Sequence, residues 1–89
     1  MVIAEVEGRA VGFVAWRGAE LDALYVLPDA AGRGVGSRLL DRAGAVSTLW
    51  VLEANHPARR FYERRGWSPD GTARPGGGGR PEVRYVRRP

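Results

Sequence analysis

The chain has no cysteine and no lysine, and only one histidine. Without cysteine there is no disulfide to staple the fold and no thiol nucleophile. With His56 as the single imidazole, a zinc site built from protein ligands is not expected. Apolar runs stay far short of the roughly 20 residues that cross a bilayer. The N-terminal MVIAEVEGR has no basic region followed by an apolar stretch, so a signal peptide is not expected. These absences point to a cytoplasmic protein without metal or membrane partner.

What is present bounds the rest. The chain has 89 residues, enough for one domain over 1–89. Hydrophobic residues make up 44%, which fits a globular chain. All 14 basic residues are arginine, against 10 acids, for a net charge of +4. The arginines are spread along the chain, and the densest group, Arg59, Arg60, Arg64 and Arg65, falls on a predicted helix as a solvated face. Neither a recognition helix nor an aromatic RNA-binding signature is present, so nucleic acid is not expected as a partner.

The chain is organised around Ala19 to Ala43. Alternation predicts a strand with Leu21, Ala23, Tyr25 and Leu27 on one face and Glu20, Asp22, Leu24 and Val26 on the other. Pro28 and Asp29 stop it. Gly32, Gly34 and Gly36 turn the backbone, and from Val35 the apolar spacing becomes helical through Leu39, Leu40 and Ala43. A helix start leaves N–H groups unpaired and carries about half a positive charge. Glycines there let an anion approach, and Arg33, Arg38 and Arg42 add charge. The stretch therefore reads as a phosphate cradle, or simply as a tight strand-to-helix turn.

Before this stretch, Val2–Glu7 and Ala10–Arg17 alternate as a β-hairpin, making a three-strand antiparallel meander with the next strand. After it, Ser47–Glu53 reads as a strand buried on both faces, predicted to lie parallel to Ala19–Leu27. Asn55-His56-Pro57 opens a second helix that Gly66 closes. Ser68 to Pro81 reads as loop, with a mobile run at Gly76–Gly79, and Glu82–Arg87 as a closing strand.

Two separated motifs resemble one family. GRGVG followed by SRLL resembles the acyl-CoA pyrophosphate loop of the GNAT N-acetyltransferases. Asn55-x-x-Ala58-x-x-Phe61-Tyr62-Glu63-x-x-Gly66-Trp67 resembles that family's second signature. Motif and context together carry the resemblance. It implies an α/β (α+β) fold with a mixed sheet, an antiparallel meander plus a parallel splayed pair. It implies transfer of acetyl from acetyl-CoA to a primary amine by direct attack, the acceptor being a small molecule or a peptide.

By the same resemblance, Leu24, Tyr25 and Val26 would pair with the pantetheine arm. Ala31, Gly32, Arg33, Gly34, Val35, Gly36 and Ser37 would hold the pyrophosphate. Asn55 would contact the cofactor or cap its helix. Glu20 would be the base and Tyr62 the general acid. No metal is implied.

The chain also departs from the family pattern. Ala31 stands where Arg or Gln is usual, and the short connection from Leu40 to Leu49 predicts a clipped first helix. The usual first strand and first two helices have no counterpart, so the acceptor side is expected to be incomplete. A homodimer that covers the open face, or a loosely packed chain, is the expected consequence. A CoA-binding remnant or subunit without catalysis is the alternative function.

Overall fold

The computed structural model of the chain describes residues 1–88. It contains six strands and two α-helices, the α/β class expected from the sequence. The chain divides into two compact units, Met1–Val46 and the segment from Ser47 onward.

The first unit is an antiparallel sheet of β1 (Val2–Val6), β2 (Arg9–Arg17) and β3 (Glu20–Val26), in that order, with helix α1 (Val35–Arg42) on one face. Glu7 and Gly8 both take positive φ, 52° and 80°, which is the two-residue hairpin turn that matches strand twist. Its core is Val11, Val14, Leu21, Ala30, Leu39, Leu40, Ala43 and Val46. Leu39 and Leu40 anchor the helix; each buried leucine contributes about 1.5–3 kcal/mol. Gly12 permits the close approach of β2 to β3, and less tightly of α1 to β2: a Cβ there would stand 2.5 Å from the Tyr25 carbonyl oxygen and 3.3 Å from Leu39 Cδ1.

One sequence expectation for β3 is corrected. The strand does not alternate throughout. Leu21 pairs with Trp16 and Ala23 with Ala15, so Asp22 is an extra residue in the ladder. The bulge exchanges faces. Leu21 shares the helix-covered face with Leu24 and Val26, while Glu20 shares the opposite face with Ala23 and Tyr25. That opposite face is apolar and open: Ile3 is 55% and Tyr25 49% exposed. With Met1, Phe13 and Leu27 they line a shallow concavity of about 460 Å³.

The second unit is an antiparallel sheet ordered β4 (Thr48–Leu52), β6 (Pro81–Arg87), β5 (Trp67–Pro75), with helix α2 (His56–Glu63). Leu49, Val51, Tyr62, Trp67 and Tyr85 form its core. Most of the stretch expected to be loop is strand β5. Its ladder to β6 breaks between Pro69 and Ala73 and then resumes, Arg74 opposite Glu82. Proline and glycine are tolerated because β5 is an edge strand with a bulge. The glycine run forms a short 3₁₀ turn, Gly77–Gly79, closed by Gly76 N–H on the Arg80 carbonyl at 2.7 Å. Among the described residues no helix is long and apolar enough to cross a membrane.

Candidate functional site

The glycine-rich turn between β3 and α1 is the best-formed site in the first unit. Pro28–Ala30 make one turn of 3₁₀ helix. Gly32 and Gly34 then take φ of 79° and 80°, a region that side-chain-bearing residues rarely occupy. Gly34 is the residue before α1, and no side chain caps the helix. The first helical bond runs from Arg38 N–H to the Gly34 carbonyl at 3.1 Å. Helix geometry leaves the N–H groups of Val35 and Gly36 without acceptors inside α1.

The turn opens onto space. A Cβ built at Gly32 or Gly34 meets no atom within 4 Å. Arg33 and Arg38 line an adjoining concavity of about 590 Å³ with Val11, Ala30 and Val35. Arg9 and Asp29 border the same space, and Arg9 Nη2 donates to Asp29 Oδ2 at 2.8 Å. Open space at a helix start beside two guanidinium groups fits a diphosphate. The Arg9–Asp29 pair was not legible in the sequence, since it joins residues 20 positions apart across a hairpin.

Hydrogen-bond alternation orients the backbone of β3. Leu27 N–H donates to the Val11 carbonyl at 2.8 Å. Tyr25, paired with Phe13, lies in the same phase and also turns its N–H toward β2. Leu24 and Val26 turn theirs away from β2. Of the three residues expected to pair with a pantetheine arm, two have backbone groups directed away from the meander and one does not.

Glu20 lies near the start of β3 with its side chain 42% exposed and 3.9 Å from Arg17 Nη2. Asp22 holds Arg17 more closely, with Arg17 Nε on Asp22 Oδ2 at 2.7 Å. The Arg17 guanidinium titrates above its ordinary range, through that hydrogen bond first and the Asp22 charge second.

In the second unit, Asn55 is the N-cap of α2: its Oδ1 accepts from Ala58 N–H at 3.2 Å. That occupies the side-chain oxygen in the capping role. Tyr62 is 8% exposed, and its ring packs edge-on against Trp67 (5.9 Å between centroids) and Phe61 (5.3 Å). Its hydroxyl forms no hydrogen bond among the described residues. Burial pushes its pKa up to about 12. The phenol therefore stays protonated at every physiological pH. Among the described residues no group of three or more His, Asp or Glu is arranged to hold a metal ion.

The sequence model of the acetyltransferase (GNAT) domain matches residues 1–69. An uncharacterized N-acetyltransferase of Archaeoglobus fulgidus is 37% identical, the match covering 70% of this chain and 55% of that protein. Peptidyl-lysine N-acetyltransferase YjaB of Escherichia coli is 36% identical, over 71% of this chain and 45% of the relative. Its apo solution structure has a TM-score of 0.80 at 31% identity, covering 94% of this chain and 61% of that one. Arabidopsis thaliana Naa50, solved with a bisubstrate analogue, CoA-Ac-MVNAL, has a TM-score of 0.84 at 20% identity, over 97% of this chain and 70% of that one. The chain spans about half the length, or less, of the curated relatives it matches.

Proposed function

This chain belongs to the acetyltransferase (GNAT) family, and from that premise we propose that it binds acetyl-CoA and transfers the acetyl group to a primary amine. The observation that carries the proposal is the turn at Ala31–Ser37, with two left-handed glycines, open space and Arg33 and Arg38 beside a helix start. In this reading the turn holds the pyrophosphate. The outward backbone of Leu24 and Val26 pairs with the pantetheine arm, and Tyr25 contributes as their neighbour in the strand. The Val26 N–H polarises the thioester carbonyl as a fixed donor to the oxygen where negative charge develops.

The chemistry is one displacement. The amine nitrogen bonds to the carbonyl carbon, the C–S bond breaks, and the acetyl group stays on nitrogen. An alkylamine has a pKa near 10, so it must lose a proton to attack at neutral pH. Glu20 takes that proton, directly or through a water molecule. The departing thiolate takes a proton from Tyr62. Asn55 contributes through its cap, which fixes the start of the helix that carries Tyr62.

The acceptor is an amine of a small molecule or a peptide. YjaB is named a peptidyl-lysine acetyltransferase, which makes a lysine side chain the first acceptor to try. Self-association through the apolar face of β1–β3 belongs to the same reading.

The test is steady-state acetyl transfer to a panel of small amines, peptide N-termini and lysine peptides. Turnover that Tyr62→Phe lowers by about 10²–10⁴-fold, with CoA affinity unchanged, is the expected result. Binding of CoA without turnover on any amine would favour the non-catalytic alternative.

A further inference from the structure

Helix α2 carries the proposed acid, Tyr62, on a surface whose contacts are aromatic edges. Such contacts hold the ring, and the Tyr62 hydroxyl has no hydrogen bond among the described residues to fix it. The directional contacts of α2 with the sheet lie elsewhere, at Tyr85.

Tyr85 sits in β6, the middle strand of the second unit, opposite Leu49 on one side and Pro69 on the other, and is 0% exposed. Its hydroxyl donates to Glu63 Oε2 at 2.5 Å and accepts from Arg59 Nε at 2.9 Å. Arg59 and Glu63 are four residues apart, so they share one stripe of α2, with Tyr62 three residues from the first and one from the second. Arg59 Nη1 also donates to the Glu53 carbonyl, just beyond β4, at 2.8 Å. The helix is therefore tied to the central strand and to the end of β4 through two side chains that bracket Tyr62.

We infer that Tyr85 is a positioning residue for Tyr62: its hydroxyl, held by Arg59 and Glu63, sets the rotation of α2 and so the place of the Tyr62 phenol. The inference rests on Tyr62 being the acid. An α-helix with side chains is about 10–12 Å across, so a rotation of about 10° moves a side-chain tip by about 1 Å. A 1 Å misplacement of a reacting group lowers a rate by about a hundredfold. Hydrogen bonds resist such rotation because they weaken steeply with angle.

Tyr85→Phe keeps the ring and removes only the hydroxyl. The expected result is a fall in kcat of about ten- to a hundredfold with the KM for acetyl-CoA unchanged. In a Tyr62→Phe background the same substitution should change kcat less than about twofold, since the group it positions is gone. Wild-type turnover in Tyr62→Phe alone would remove the acid reading. A slow Tyr62→Phe with a wild-type Tyr85→Phe, or with fully additive losses in the double variant, would overturn the positioning role alone.

A second readout does not need turnover. The Tyr62 ring signals in the proton NMR spectrum, displaced by Trp67, should move toward free-tyrosine positions in Tyr85→Phe and stay in place in Glu63→Gln, which keeps an acceptor oxygen. Unchanged Tyr62 signals in Tyr85→Phe overturn the inference. If Tyr85→Phe does not fold, Glu63→Ala, at the exposed end of the contact, is read by the same two measurements with the same expected and contrary results.

Discussion

Tyr62 combines two consequences of one placement. Burial holds its phenol protonated up to about pH 12, where an unfolded tyrosine releases its proton near 10. Between those values the folded chain binds more protons than the unfolded chain. The resulting stabilisation is complete below pH 10 and is lost as pH rises through about 12. A rise of that size corresponds to roughly 2–3 kcal/mol. Urea unfolding of the wild type and Tyr62→Phe at pH 9 and near pH 12 should show the wild type losing more stability, by about that amount. Equal losses would contradict the burial argument.

Asn55 has a smaller role at the same scale. Asn55→Ala should cost about 1 kcal/mol by loss of the cap, and Asn55→Asp should restore it. CoA affinity that falls in both variants would assign Asn55 to the ligand as well.

At the scale of elements, close approach governs the first unit. A methyl group at residue 12 would press on the Tyr25 carbonyl, a backbone atom that cannot swing aside. Gly12→Ala should therefore lower stability by about 1–3 kcal/mol, read from the shift in the urea midpoint. A neutral substitution would mean that β2 and β3 separate easily at this point. In the sequence Gly12 falls within an alternating strand, and its neighbours across the ladder and on α1 were not visible there.

The same division between local and non-local information runs through the fold. Both helices, the hairpin and the glycine turn follow from periodicity and turn chemistry within short windows. The face of Glu20 does not, because the bulge at Asp22 depends on register with β2. Strand β5 was hidden for a similar reason. Pro69, Asp70 and Gly71 read as loop, yet an edge strand absorbs them where its ladder breaks. Of the candidate site, the glycine turn was legible because it is contiguous. Arg9 with Asp29, and Tyr85 with Arg59 and Glu63, come together only through tertiary folding.

For the molecule as a whole, the open apolar face bearing Ile3, Phe13 and Tyr25 is the surface that the proposed self-association would use. Sedimentation over a concentration series should show mass rising with concentration, and Ile3→Glu should suppress the rise. A mass constant on dilution in the wild type would contradict it.

Arginine supplies all the basic charge of the chain, and two of those arginines border the turn at Ala31–Ser37. The measurement that bears most directly on the proposed function is calorimetric titration of the chain and its Gly34→Glu variant with CoA. A glutamate at residue 34 would place a carboxylate at the helix start and force a left-handed backbone on a residue that resists it. Saturable one-to-one binding to the wild type is expected, with its loss in a Gly34→Glu variant whose circular dichroism is unchanged. Equal affinity in the two proteins would contradict the placement of the cofactor at this turn.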